Sequence, residues 1–170
     1  MDAHRRFEEL YRRHGGRVLA YVLRRTSPAV ADDVVADVFL VAWRKLDDLP
    51  AEPLPWLLGV ARKHLANRRR GEERMVALHR RLASEHGPVT AGIGEEVDER
   101  VIRALGQLSE RDRELLMLLA WDELSQPEVA EVLGLRKNTV AVRLHRARRQ
   151  FAEALAREDA TTPDRTKVPR

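Results

Sequence analysis

The stretch from Ser125 to Phe151, SQPEVAEVLGLRKNTVAVRLHRARRQF, restricts this chain to a helical fold more strongly than any other segment. Ser125 can cap a helix, and Glu128 follows three residues later, the spacing of a capping box. Gln126 and Pro127 fill the first turn, where proline's missing N–H costs nothing. Val129, Val132 and Leu133 give this short helix its buried stripe; Gly134 supplies the left-handed stop and Leu135 the plug at the corner. A second helix is expected from about Lys137, burying Val140, Leu144, Ala147 and Phe151 at steps of four, three and four residues. At about 100° per residue, its opposite face carries Val142, His145, Arg146 and Arg149, with Arg143 and Arg148 on the flanks. A short helix, a glycine turn and a longer basic helix make the plan by which a helix-turn-helix enters the DNA major groove. A plain αα-hairpin with a solvated basic face is the competing reading. The coincidence of capping box, glycine turn and outward arginine row favours DNA.

Composition narrows the alternatives. A chain of 170 residues makes one domain or two small ones. With 44% hydrophobic but only 5% aromatic residues, Leu/Val/Ala helical bundles are favoured over a β-sandwich. No strand-like alternation is sustained anywhere, so the expected fold is all-α. No run approaches a membrane span, and the opening MDAHRRFEELYRRH lacks a signal peptide's apolar core. A cytoplasmic protein without membrane insertion is expected. The absence of cysteine removes disulfides, thiolate nucleophiles and Cys-based zinc sites. The six histidines are scattered without metal-ligand spacing, and no HExxH, phosphate-binding glycine loop or Ser/His/Asp arrangement occurs. The expectation is therefore no enzyme, no cofactor, no metal and no small-molecule substrate. The net charge of +4 is unevenly spread: +5 over residues 1–70, −5 over 71–124 and +4 over 125–170. Two basic ends around an acidic middle suggest two contacts with a polyanion, by neutralisation of phosphates and release of their counterions.

Two bundles and a connector are expected. Residues 1–72 read as a bundle of about four helices. Phe7, Leu10, Tyr11 and His14 come before a break at Gly15-Gly16, and Val18, Tyr21 and Val22 after it. Ser27-Pro28 starts a helix reaching about Leu46, with Val34, Val38, Val41 and Ala42 on one side. Three prolines keep Asp47–Pro55 out of regular helix, which resumes at Trp56, itself expected in the core. Residues 73–97 form a linker. Its first part either continues the last helix or adds a short one, and HGPVTAGIGEE is its clearest portion. A second bundle, 98–156, has one helix on Val101, Ile102, Leu105 and Leu108. A second helix, capped by Ser109 with Asp112, leads into the helix-turn-helix. The polar residues 157–170 are expected to be disordered.

The order of DDVVADVFLVAWRKL, PWLLGVARKHLANRRR, a linker and LSERDRELLMLLAWDELSQPEVAEVLGLRKNTVAVRLHRAR resembles bacterial RNA polymerase sigma factors. The specific likeness, over roughly residues 5–155, is to the small two-domain extracytoplasmic-function class. It implies a promoter-specificity subunit that binds the β′ and β subunits of core polymerase and the minus-10 and minus-35 promoter elements. An anti-sigma partner that holds it inactive is implied as well.

The resemblance also implies roles for residues. The helix 30–46 would dock on a coiled coil of β′ through Asp32, Asp33, Asp37, Val38 and Phe39, with Trp43 nearby. A structural reading stays open, in which Asp32 and Asp33 suit a helix N-terminus and Phe39 and Trp43 are core. Family members usually carry Gln where Ala36 stands. The loop Pro50–Pro55 and a basic helix offering Arg62, Lys63, Asn67, Arg68, Arg69 and Arg70 would capture the unwound minus-10 strand, with the base swung from the stack. The family often has Asn in place of Lys63, which suits a phosphate here. The minus-35 duplex would meet Arg136, Lys137, Asn138, Val142, Arg143, His145, Arg146 and Arg149. In that set arginine suits guanine O6/N7 or phosphate, and Lys137 and Asn138 suit phosphate at the helix N-terminus. The family usually has Ser or a similar cap at Arg136, and a basic residue then Ser at Ala141 and Val142. A different upstream sequence, with Val142 against a thymine methyl, or heavier reliance on phosphates would each explain the departure. The competing function is a stand-alone helix-turn-helix regulator, which would bind duplex operators unaided, usually as a dimer on paired half-sites.

Overall fold

The computed structural model describes residues 2–79 and 98–161, and among them every regular element is an α-helix. The chain divides into two compact units, the first built chiefly from α1–α3 and the second chiefly from α4–α7.

The first unit packs α1 (Ala3–Leu23), α2 (Pro28–Arg44) and α3 (Pro53–His79) against one another. There are three helices where about four were expected, because Gly15-Gly16 does not break α1. Two glycines weaken a helix by only about 0.5–1 kcal/mol each. Leu10, Val18, Tyr21 and Val22, on both sides of the pair, are buried along a single helix. Gly15 is buried too, and a Cβ added there would stand 3.5 Å from the Tyr11 ring. Pro28 occupies the first turn of α2, whose buried side comprises Ala31, Val34, Val35, Val38, Phe39 and Ala42. α3 begins at Pro53, three residues ahead of the expected Trp56, which is half-buried. Pro53 and Pro55 both fall in the first helical turn, where backbone N–H groups have no intrahelical acceptor to lose. The expected loop therefore ends at Glu52. At the other end α3 runs to His79, into the stretch expected as linker; residues 80–97 lie outside the described residues. Arg6 fastens the start of α1 to the turn after α2. Its Nη1 lies 2.7 Å from Asp47 Oδ1, and its Nη2 donates to the Leu46 carbonyl at 2.9 Å.

The second unit is built chiefly from α4 (Glu99–Gly106), α5 (Glu110–Ala120), α6 (Gln126–Leu133) and α7 (Lys137–Thr161). Its local signals act as their sequence suggests. The Glu128 carboxylate accepts the Ser125 N–H at 2.7 Å, completing the capping box. Gly134 has φ 64°, the Leu135 N–H reaches the Ala130 carbonyl at 2.8 Å, and the Gly134 N–H reaches Glu131 at 3.1 Å. This paired closure of the last helical carbonyls needs a left-handed residue at Gly134. Ser109 accepts the Asp112 N–H at 3.2 Å and so caps α5. α4 lies along the distal half of α7, where Ala104, Leu108 and Ala154 are buried beside Leu116, Phe151 and Leu155. Polar pairs close that contact: Arg100 to Asp159 and Arg103 to Glu158, each at 2.7 Å. Gln107 adds a hydrogen bond to Glu158 at 2.7 Å. Helix α7 accordingly continues through Arg157–Thr161, against the expectation of disorder from 157. The polarity of that stretch matches partners on α4 rather than solvent. Residues 162–170 lie outside the described residues.

Candidate functional site

Helix α7 presents a sharply divided surface. Val140, Leu144 and Ala147 are buried on the inner side. On the outer side Val142 is 73% exposed, and His145, Arg146 and Arg149 are exposed with it. Arg143 is half-buried at the edge of this face. Arg136, Lys137 and Asn138 stand exposed at the N-terminal end, where the first-turn N–H groups favour anions. The eight residues expected at the minus-35 element thus lie along one helix and its cap. Two of its arginines have acidic neighbours. Arg149 Nε is 3.6 Å from Glu153 Oε1, and Arg146 Nη2 is 3.7 Å from Asp112 Oδ1.

The basic segment of α3 is less uniform. Lys63, Asn67, Arg68, Arg69 and Arg70 are exposed and Arg62 is half-buried. The inner side is fixed by Leu58, Ala61 and Leu65. At about 100° per residue, Lys63, Asn67 and Arg70 then share the arc opposite that side, whereas Arg62 and Arg69 fall on one flank and Arg68 on the other. Arg70 donates to Asn67 Oδ1 at 2.5 Å, so two members of the outward stripe touch.

On α2 the expectation is half corrected. Asp32, Asp33 and Asp37 are exposed, and Asp37 Oδ2 stands 3.5 Å from His64 Nδ1 on α3. Val38 and Phe39 are buried, at 0% and 3% exposure, and are core residues rather than docking residues. Phe39 meets the Tyr11 ring at 4.7 Å and the Phe7 ring at 6.2 Å, both in edge-on geometry. The exposed apolar residues of this helix are instead Leu40 and Trp43, at 48% and 37%. Leu40, inside the run VFLVAW, is not among the residues expected to dock. Its spacing of seven from Asp33 and four from Ala36 was the available signal that it faces outward.

A groove of about 570 Å³ between α1 and α2 is lined by residues including Tyr11, Gly15, Leu19 and Val35, with Arg12 and Asp32 as its charged members. One guanidinium and one carboxylate on apolar walls do not make a nucleophile–base constellation. Among the described residues no group of three or more His, Asp or Glu is placed to hold a metal, and no helix is long and apolar enough to cross a membrane.

Residues 10–75 match the family model of Sigma-70 region 2, and residues 98–151 that of Sigma-70, region 4. The chain is 30% identical over 161 residues to the RNA polymerase sigma factor NccH of Alcaligenes xylosoxydans xylosoxydans, covering 88% of this chain and 86% of that protein. It is 33% identical over 168 residues to the RNA polymerase sigma factor CnrH of Cupriavidus metallidurans, with 89% and 87% covered. The solved structure of CnrH in complex with the cytosolic domain of CnrY superposes with TM-score 0.59 at 29% identity, covering 92% of this chain and 89% of that one. The fold is shared too with the sigma factor RpoE in its complex with the anti-sigma factor NepR from Bartonella quintana, at TM-score 0.69 and 24% identity over 88% and 96% of the two chains. With both regions matched in order and relatives aligned along nearly their whole length, the chain belongs to the sigma-70 family, as an RNA polymerase sigma factor of the extracytoplasmic-function class.

Proposed function

We propose that the two units divide promoter recognition between them. Residues from the N-terminus to His79 hold core polymerase and the minus-10 element, and residues 98–161 read the minus-35 duplex. Docking on β′ falls to the exposed stripe of α2, with Asp32 and Asp33 offered to basic groups and Leu40 and Trp43 to apolar ones. Asp37, paired with His64, serves chiefly to fix α2 on α3. The Lys63–Asn67–Arg70 stripe of α3 tracks the backbone of the unwound strand. Arg62, Arg68 and Arg69 supply longer-range attraction to phosphates, and Pro50–Pro55 gives a stiff wall at the start of that helix. The observation that carries this reading is the divided surface of α7. Nothing in its folding requires Val142 in solvent, whereas a thymine methyl in the major groove offers that side chain a partner.

In this reading the chain performs no bond chemistry of its own; it acts in the cytoplasm and lends sequence selectivity to the β and β′ subunits. CnrH binds the cytosolic domain of CnrY. By analogy an anti-sigma protein covers the present chain until released. Arg143→Ala tests the α7 assignment. Promoter binding by the assembled holoenzyme is expected to weaken by about 1–3 kcal/mol, with relaxed selectivity at one minus-35 position. A titration of holoenzyme on promoter DNA that gives the wild-type curve rejects a base contact for Arg143.

A further inference from the structure

Helix α5 opens with a carboxylate that its own cap does not fully use. Asp112 has only 6% of its side chain exposed. The Ser109 hydroxyl donates to Asp112 Oδ2 at 2.7 Å while accepting the Asp112 N–H at 3.2 Å. Oδ1 remains buried, with no hydrogen-bond donor among the described residues. A half-satisfied carboxylate away from water is strongly unfavourable unless a cation faces it. Arg146 of α7 faces it, with Nη2 3.7 Å away. That distance is too long for a hydrogen bond, and 57% of the arginine side chain stays in solvent. The attraction therefore restrains the guanidinium without consuming its N–H donors.

We propose that Asp112 is a positioning residue for promoter recognition. From its buried seat on α5 it holds the Arg146 guanidinium at the outer face of α7, so that its donors are already aimed when minus-35 DNA arrives. This rests on the reading of α7 as the minus-35 reader. A long flexible side chain loses rotamer freedom on binding, and a restraint imposed beforehand lowers that loss. Tightening is expected rather than competition, because the pair shares no hydrogen bond that DNA must break.

A double-mutant cycle tests it, using full-length protein assembled with core polymerase and a promoter fragment recovered by run-off selection from genomic DNA. Arg146→Ala is expected to weaken promoter binding by about tenfold. Asp112→Asn keeps an oxygen for the Ser109 hydroxyl but loses the charge. It is expected to weaken binding by about 3- to 10-fold and to flatten discrimination at the base pair that Arg146→Ala also affects. The double variant should bind no worse than Arg146→Ala alone, and Asp112→Glu should retain wild-type discrimination. If thermal unfolding shows Asp112→Asn to be unfolded at the assay temperature, Asp112→Leu takes its place in the cycle, removing the carboxylate and its unpaired oxygen together while the exposed Ser109 hydroxyl turns to water. Additive losses, an unchanged single variant or tighter binding by Asp112→Asn would overturn the proposal. An Arg146→Ala protein that binds like wild type instead removes Arg146 from DNA contact, and its positioning by Asp112 with it.

Discussion

Phe39→Ala is expected to destabilise the N-terminal bundle by about 3–5 kcal/mol, the range for deleting a buried aromatic side chain. Phe39 is 3% exposed and is covered from α1 by the edge-on rings of Phe7 and Tyr11. Truncation would strip α2 of a buried side chain that joins it to α1, leaving a cavity between two helices that Trp43, edge-on to Phe7, does not fill. A small domain is stable by only about 5–15 kcal/mol, so such a loss consumes a large share. Urea unfolding followed by circular dichroism should show an earlier midpoint for the first unit. The same measurement separates core from docking. If Phe39 served mainly to bind polymerase, Phe39→Ala would unfold like wild type and fail only in assembly.

Asp33→Arg should do the reverse. The side chain is exposed and stands on the same outward stripe as Leu40. Surface changes away from cores and caps usually alter stability by no more than about 0.5 kcal/mol. Set against basic partner groups, however, a reversed charge turns attraction into like-charge contact, which costs several kcal/mol at an interface. Association with core polymerase should fall by at least about tenfold, while the unfolding midpoint stays in place. A pull-down of core polymerase with undiminished yield would rule Asp33 out as a docking residue.

The contrast between these two residues marks what local sequence can carry. The helix-turn-helix is legible because each of its signals acts within a few residues: Ser125 with Glu128, Gly134 with Glu131, and the period of Val140, Leu144 and Ala147. In VFLVAW every residue is apolar, so the run itself does not say whether Phe39 or Leu40 turns inward, and only the helical spacing of Leu40 from Asp33 and Ala36 hints at it. The rings of Phe7 and Tyr11, supplied by another helix, decide it. The Gly15-Gly16 pair and Pro53 do not act as breaks, because burial along α1 and the free first turn of α3 outweigh their propensity costs. The end of α7 is not legible locally, because Asp159 and Glu158 find Arg100 and Arg103 on α4, distant in sequence. The same separation concealed the Asp112–Arg146 pair.

The most direct trial of the whole account mixes purified full-length protein with core polymerase on a sizing column, then measures binding of each fraction to a promoter duplex. The account predicts co-elution with the polymerase, and promoter binding confined to that complex. Separate elution, with the chain alone gripping duplex DNA as a dimer on paired half-sites, would contradict it.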